Sequence, residues 1–211
     1  MKGDAVRVAI VGGGIAGALL AWRTVRAPGG AAVDLFTDGT GARADASRVS
    51  GGLVRGFEPT VAATGPAAES LAEIRGSDVL REWSGYRETG ALYVLPAGAD
   101  AREPAEVVDA YLPGSAEVVG RDGVIGAFPF RTLPAGSVAV VERHAGHISP
   151  HRLRTAALHY KAPLVQLGTV THGYDAPGRL VIRAGGQTLL DAEMAELHSA
   201  HATGLETAWA G

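Results

Sequence analysis

The sequence predicts an α/β fold in which a parallel sheet carries an inserted β-rich portion, and three observations support this fold class. A β-branched run at 6–11 leads through a glycine-rich turn into an apolar helix at 15–26. A second apolar strand follows at 33–37, as expected for a strand–helix–strand unit. Between 87 and 145 the chain holds short apolar runs bounded by turn residues, which indicate the β-rich portion.

The composition indicates a globular protein and excludes several classes of function. Of the 211 residues, 46% are hydrophobic and 19% are charged, and the formal net charge of -3 disfavours nucleic-acid binding. The chain has no cysteine, so disulfides, thiolate catalysis and thiolate-bound metals are excluded. We expect a cytoplasmic protein without membrane insertion, because Asp4 and several glycines interrupt the export-signal pattern of the apolar opening.

The first strand, helix and second strand surround the motif Gly12-x-Gly14-x-x-Gly17. In such a motif the first glycine permits a tight turn, the second lets a pyrophosphate approach the backbone, and the third lets helix and strand pack closely. The helix start, with Ile15 and Ala16, offers amide groups and a positive dipole end to phosphates. We therefore predict a dinucleotide-binding turn, the alternative being a glycine-rich turn without a ligand.

The residues after the second strand predict further contacts to a dinucleotide. Either Thr37 or Asp38, at the end of that strand, can bind ribose hydroxyls. A loop of small residues follows at 39–59. Its arginines can neutralise phosphate charge and its small residues let the backbone lie against a flat ring. These arginines are Arg43, Arg48 and Arg55, and the glycines Gly51 and Gly52 lie in the same loop.

The rest of the chain alternates predicted helices and strands. Apolar spacing predicts a helix at 66–84, interrupted at 76–77, and a short helix at 103–112. A further helix carries Arg152 to His159, with Ser149 as its cap and Pro150 in its first turn. Predicted strands lie at 91–95, 138–141, 164–167, 180–183 and 187–190, with a hairpin turn at 176–179.

Taken in order, five segments resemble landmarks of the FAD-dependent D-amino-acid oxidase-like family, which includes glycine and sarcosine oxidases. They are the glycine motif, DASRVSGGLV at 45–54, RETGALYVLP at 87–96, GHISPHRLRTAAL at 146–158 and AHATGLETAW at 200–209. The resemblance implies a Rossmann-like FAD-binding domain at 1–86 and 146–211. It also implies an incomplete substrate-binding portion at 87–145.

The resemblance also implies how each segment contacts the cofactor. FAD would bind extended, with its pyrophosphate at Gly12–Gly17, its ribose near Thr37 or Asp38 and the loop Ser47–Leu53 beside its diphosphate and flavin. Backbone near Val170 would flank the adenine, and Ala202, Thr203 and Gly204 would pass close to the cofactor again. The implied chemistry is oxidation of an amine or amino-acid C–N bond, with hydride transfer to the flavin.

Members of this family are longer, and the resemblance covers only the N-terminal part of their pattern. This difference leaves alternatives open. The chain could be a truncated product, or a short relative whose site is completed by a homo-oligomer or a partner chain. It could also be a noncatalytic, redox-independent remnant that acts as a binding or partner protein. A further alternative is an NAD(P)-dependent reductase that uses the same turn.

Three histidines in one segment suggest a metal site, but the sequence disfavours it. Pro150 prevents His144, His147 and His151 from sharing one helical face, and only Glu142 could supply a carboxylate nearby. We expect no metal, and interpret the segment as a solvated loop and helix start. For amine oxidation, a histidine or tyrosine near the flavin ring could accept the proton of the amine. The candidates are His147, Tyr93 and Arg131.

Overall fold

The structure is a computed structural model that describes residues 7–28, 31–37 and 46–160, and the strand segments 164–166, 170–176, 179–184 and 187–193. The chain divides into two compact units. Unit 1 contains Met1–Asp45 and Ala157–Gly211, and unit 2 contains Ala46–Ala156. These bounds differ from the predicted division at 86 and 146, which concerns cofactor and substrate portions and stays a prediction.

The described residues form helices and strands in the following order. The helices are α1 (Ile15–Arg26), α2 (Ala46–Val49), α3 (Val61–Gly76), α4 (Asp78–Ser84), α5 (Arg102–Tyr111), α6 (Arg121–Ala127) and α7 (Pro150–His159). The strands are β1 (Arg7–Val11), β2 (Ala32–Thr37), β3 (Leu53–Val54), β4 (Arg87–Glu88), β5 (Ala91–Leu95), β6 (Ala116–Gly120), β7 (Val138–Glu142), β8 (Gly146–His147), β9 (Leu164–Gln166), β10 (Val170–Ala176), β11 (Arg179–Ala184) and β12 (Gln187–Glu193).

Unit 1 contains the predicted parallel sheet. Its strands lie in the order β1-β2-β9, and Val8 pairs with Val33 while Val11 pairs with Phe36. Apolar side chains of β1 and β2 bury themselves against α1, forming a core of Ile10, Ala21, Val33 and Leu35. The predicted α/β class and the bounds of the first helix are therefore confirmed.

A second sheet of unit 1 is antiparallel, in the order β10-β11-β12. The predicted strands at 180–183 and 187–190 are confirmed, and the structure extends both. β10 was not predicted, because glycine and polar residues interrupt its apolar pattern and only pairing with β11 defines it. The predicted turn lies where β10 meets β11, and its central residues 177–178 are outside the described part of the chain.

Unit 2 is built on an antiparallel sheet with β7 in the centre, in the order β5-β7-β6. Helices α3 and α5 pack against one another, and the core of the unit contains Phe57, Ala68, Ala105, Val108 and Val140. A small sheet in the order β3-β8-β4 places His147 opposite both Leu53 and Arg87. These pairings confirm the predicted strands at 91–95 and 138–141.

Local hydrogen bonds explain where the middle helices begin and end. The predicted helix at 66–84 is wrong at its start, since α3 begins at Val61, where the Thr60 side chain accepts from the Ala63 amide at 3.4 Å. Pro66 lies inside α3. Ser77 separates α3 from α4 as predicted, and its hydroxyl accepts from the Leu80 amide at 3.2 Å. Ser149 caps α7, since its hydroxyl accepts from the Arg152 amide at 3.3 Å.

Several elements of unit 2 were not predicted from the sequence. Residues 46–49, expected within a loop, form the short helix α2. The strand β6 and the helix α6 were not predicted, because Glu117 and Gly120 weaken the apolar pattern there. Pairing with β7 decides that β6 is a strand. Among the helices that the structure describes, none is long and apolar enough to cross a membrane.

Candidate functional site

The glycine motif forms a tight turn between β1 and α1. Gly12 has φ 107°, a backbone conformation that favours glycine, and its amide donates to the Phe36 carbonyl at 2.8 Å. A Cβ at Gly12 would meet no atom within 4 Å, so conformation and not space requires glycine there. The tight turn predicted from the first glycine is confirmed.

Two further glycines are required by close packing. A Cβ at Gly17 would overlap the carbonyl oxygen of Gly12 and contact the Ile10 side chain at 3.4 Å, as predicted for helix–strand packing. A Cβ at Gly13 would lie 2.5 Å from the hydroxyl oxygen of Thr37. Sequence reasoning assigned no role to Gly13, although three consecutive glycines were the available signal. The structure therefore brings Thr37, at the end of β2, over the turn.

The start of α1 carries the features of an anion-binding helix terminus. Gly14 precedes the helix, and the first intrahelical hydrogen bond joins the Ala18 amide to the Gly14 carbonyl at 2.9 Å. The first turn contains no acidic side chain to occupy the terminus. Ala16 is exposed, so this end of the helix is accessible. The arrangement can therefore accommodate a phosphate group close to the backbone.

The second predicted binding segment lies in unit 2. Ser47 is buried and Arg48 is exposed in α2, and Gly51 is exposed in the loop that follows. Gly52 has φ 68°, and its carbonyl accepts from the Ile148 amide at 2.8 Å. A Cβ on Gly52 would overlap the Ile148 carbonyl oxygen, so only glycine fits between these backbones.

This loop forms one wall of a pocket within unit 2. The pocket has a volume of about 450 Å³. Its wall contains the loop Ser50–Arg55 and Glu58, and α3 supplies Ala67, Ser70, Leu71 and Ile74. Arg55 Nε donates to Glu58 Oε1 at 2.8 Å and Arg55 Nη2 donates to Glu58 Oε2 at 3.0 Å. Because Glu58 occupies both of these donors, Arg55 is held at the edge of the pocket.

The aromatic candidate, Tyr93, packs in the interior of unit 2. Its ring centroid lies 5.3 Å from that of Phe57, and the Arg55 guanidinium lies 5.3 Å from the ring. Its hydroxyl is buried without a hydrogen-bond partner among the described residues. Burial raises the pKa of the Tyr93 hydroxyl, and the nearby Glu142 carboxyl raises it further. These surroundings favour a protonated phenol over a proton acceptor.

Glu142 lies fully buried on β7. Its carboxylate accepts from the Gly56 amide at 2.6 Å and from the Phe57 amide at 3.1 Å. Burial raises the pKa of the Glu142 carboxyl, while the amide hydrogen bonds from Phe57 and Gly56 act in the opposite direction. The one carboxylate that the sequence offers near the histidines therefore binds backbone amides of a distant segment.

The raised pKa of Glu142 predicts a pH dependence of stability. Because the folded carboxyl binds its proton more tightly than the unfolded one, the free energy of unfolding should fall as pH rises from the ordinary glutamate pKa of 4.5 through the raised pKa. A Glu142→Gln variant should lose this component. Urea unfolding measured across this window for both proteins tests it, and parallel curves would contradict the prediction.

The other two candidate residues, His147 and Arg131, lie on the surface of unit 2. His147 is exposed on β8, and Arg131 is exposed between α6 and β7. No hydrogen bond, ion pair or ring contact joins His147, Tyr93 and Arg131 in the part of unit 2 that the structure describes. His144 Nδ1 lies 3.1 Å from Glu88 Oε1. Burial raises the pKa of the Glu88 carboxyl, but the hydrogen bonds from His144 and Arg75 outweigh it, so the pKa is lowered.

The other residues singled out from the sequence are the three histidines, Val170 and five further cofactor-binding candidates. No three histidine or acidic side chains in the described ranges are placed to hold a metal ion. Val170 begins β10, where it pairs with Ala184. The other predicted cofactor residues fall outside the described part of the chain, namely Asp38, Arg43, Ala202, Thr203 and Gly204.

A parallel strand–helix–strand unit with a glycine-rich turn places the chain in the class of α/β folds that bind ligands at the carboxyl ends of their strands. The family model described as DAO, FAD dependent oxidoreductase, matches residues 7–205. The chain therefore belongs to this family of FAD-dependent oxidoreductases. No curated protein sequence matches the chain.

Solved structures share this fold at low sequence identity. L-proline dehydrogenase from P. horikoshii is 15% identical with a TM-score of 0.65, and the match covers 88% of this chain and 50% of that one. Glycine oxidase from Geobacillus kaustophilus is 22% identical with a TM-score of 0.58, covering 87% and 53%. L-α-glycerophosphate oxidase from Mycoplasma pneumoniae, solved with FAD bound, is 15% identical with a TM-score of 0.57, covering 90% and 52%.

The chain spans about half the length of these proteins. At such identities the likeness shows the fold and not the activity. The predicted resemblance to the D-amino-acid oxidase-like family is confirmed, together with its Rossmann-like architecture and its partial coverage.

Proposed function

We propose that this chain binds FAD and belongs to an oxidoreductase that acts on the C–N bond of an amine or amino acid. The observation that carries the proposal is the turn at Gly12–Gly17, where positive φ, absent side chains and an accessible helix start combine. A diphosphate fits such a cradle because any Cβ at Gly17 would push the turn open and remove the close backbone approach. Thr37, which lies beside this turn, would contact a ribose.

The chain contains two candidate cofactor-binding segments, one in each unit. The first is the glycine turn of unit 1. The second is the loop Ser47–Leu53 of unit 2, where Gly52 keeps the backbone in a form that a side chain would disrupt. FAD, when bound, supplies the two-electron redox chemistry of the reaction.

The substrate class is inferred from the family and its relatives. Glycine oxidase and L-proline dehydrogenase act, by name, on amino acids, which supports an amine or amino-acid substrate. Because the fold is also similar to that of the glycerophosphate oxidase, an alcohol is the competing substrate class. Tyr93 would hold its proton on the hydroxyl, in line with its raised pKa. His147 stays the candidate proton acceptor, and Arg131 a candidate contact to substrate.

An absorbance spectrum tests the proposal. The purified chain is recorded before and after addition of excess FAD and passage through a desalting column. Retained flavin bands support the proposal, and a screen with amines and with alcohols then separates the two substrate classes. A colourless protein after desalting contradicts FAD binding by this chain alone. Repeating the experiment with NADPH tests the nicotinamide alternative, and co-purification tests a partner chain or homo-oligomer.

A single substitution tests where the cofactor binds. Gly14→Val should abolish FAD retention, because a branched side chain at the start of α1 blocks the approach of the pyrophosphate. Gly126→Val is the matched control, since Gly126 lies in α6 where a Cβ meets no atom within 4 Å. Flavin retention and unfolding are measured for both variants. Unchanged FAD binding by a folded Gly14→Val variant would disprove the assignment of the turn.

A further inference from the structure

Glu142 connects the central strand of the unit 2 sheet to the segment Arg55–Glu58. The side chain is 0% exposed, and its two oxygens accept from two consecutive amides, those of Gly56 and Phe57, at 2.6 Å and 3.1 Å. A buried carboxylate is costly unless its oxygens are hydrogen-bonded. Here the partners are backbone groups of one segment, so Glu142 acts on the position of that segment.

Packing leaves the backbone at 56–57 no room to move toward the interior of unit 2. A Cβ on Gly56 would lie 3.0 Å from Glu142 Oε1, 3.1 Å from Val108 Cγ1 and 3.3 Å from Ala68 Cα. Phe57 is 1% exposed and belongs to the core of the unit. The backbone at 56–57 is therefore confined on its inner side by α3, α5 and the Glu142 carboxylate.

The outer side of the same segment faces the pocket. Arg55 and Glu58, one on each side of the clamped amides, belong to the pocket wall together with the loop 50–54. Their bidentate ion pair crosses the segment that Glu142 holds. A change at the two amides would therefore displace residues of the wall.

We infer that Glu142 is a positioning residue that sets the Arg55–Glu58 wall of this pocket through the amides of Gly56 and Phe57. The inference rests on the proposed function where it assigns that pocket to the cofactor loop. Glu142 itself touches neither cofactor nor substrate in this role. The ionised carboxylate is the form that accepts from both amides, whereas a protonated or amide side chain accepts well from one only.

The titratable groups that act on Glu142 electrostatically come from three elements. Arg55 belongs to the clamped segment, Tyr93 to β5, and His144 to the turn after β7. Burial raises the pKa of Glu142, and the positive charge of Arg55 opposes this rise. Lowering the pH should therefore protonate Glu142 while the protein is still folded. Protonation of the buried carboxyl weakens its hydrogen bonds with the two amides and loosens the clamp locally, although it raises the free energy of global unfolding, in which the carboxyl becomes solvated.

Amide hydrogen exchange of Gly56 and Phe57 tests the inference with the full chain. Protection factors are measured from the lowest pH at which the chain stays folded up to about pH 8, for the wild type, Glu142→Gln and the control Glu117→Gln. Glu117 is an exposed glutamate on the neighbouring strand β6, paired with Arg143, so its neutralisation should change little. We expect protection at Gly56 and Phe57 to fall about tenfold in Glu142→Gln near the upper pH limit.

The pH profile separates positioning from a general loss of structure. Wild-type protection at Gly56 and Phe57 should decrease as Glu142 is protonated, the Glu117→Gln profile should match it, and the Glu142→Gln profile should be flat. The dissociation constant for FAD, measured by flavin fluorescence at the same pH values, should rise in parallel. A wild-type protection profile without this decrease would overturn the inference, even if Glu142→Gln did not fold.

The two readouts also separate this inference from the proposed function. If the wild type binds no FAD at any pH, the proposed function fails while exchange still decides the role of Glu142. If exchange at Gly56 and Phe57 changes but the affinity of a protein that does bind FAD stays constant, Glu142 does not position a cofactor-contacting wall, and the inference is overturned.

Discussion

Gly17→Ala should destabilise the strand–helix–strand unit by about 3 kcal/mol and abolish FAD retention. The added Cβ would overlap the Gly12 carbonyl oxygen and meet the Ile10 side chain, and neither neighbour is the end of a flexible side chain that could move aside at low cost. Relief would require α1 to move away from β1, which opens the turn and removes the close approach of the backbone to a diphosphate. Urea unfolding and a flavin titration measure the two effects.

Gly126→Ala is the control for this variant. Both substitutions add one methyl group to a glycine within a helix, but the Cβ at Gly126 meets no atom within 4 Å. An alanine there should leave stability unchanged or raise it by at most about 1 kcal/mol, since glycine is unfavourable inside a helix. Equal stability of Gly17→Ala and wild type would mean that α1 does not pack against the turn in solution as it does in this structure.

Phe57→Ala should be the most damaging truncation in unit 2, with an expected loss of about 3 to 5 kcal/mol. The ring is 1% exposed and packs with Ala68, Val108 and Val140, besides its contact with the Tyr93 ring. Removing it leaves a cavity between the sheet and the helices α3 and α5. Since the Phe57 amide also donates to Glu142, the pocket wall at 55–58 should exchange its amide hydrogens faster.

Phe130→Ala tests whether burial causes this loss. Phe130 is 38% exposed, so its truncation should cost about 0.5 kcal/mol or less. If Phe57→Ala does not fold, Phe57→Leu keeps part of the packing and should lose about 1 to 2 kcal/mol. Similar losses at Phe57 and Phe130, measured by urea unfolding, would contradict the core that is described for unit 2.

Local patterns in the sequence were sufficient for the glycine turn. The strand, turn and helix at 7–26 are contiguous, so the β-branched run, the spaced glycines and the apolar helix act on one another over a few residues. The same holds for Ser77 and Ser149, whose hydroxyls cap the helices that follow them. Gly13 is the exception within the turn, because the constraint on it comes from Thr37 on the next strand.

Local patterns failed where a partner distant in the chain decides the outcome. Glu142 was interpreted with the histidines beside it in sequence, but its hydrogen-bond partners lie 86 and 85 residues away. Tyr93 was proposed for proton transfer, and only its surroundings show a buried hydroxyl with a raised pKa. β6 was missed because its own residues are weakly apolar and its pairing with β7 defines it.

The sequence by itself determined the α/β class, the dinucleotide-type turn and the resemblance to a family of FAD-dependent oxidoreductases. These depend on residue spacing over short stretches, where helix and strand periodicity and glycine conformation leave few alternatives. Only the tertiary structure decided which polar groups are buried and what they bind. The clamp of Glu142 on Gly56 and Phe57 shows the reason, since burial and hydrogen bonding are properties of packed neighbours and not of residues adjacent in the chain.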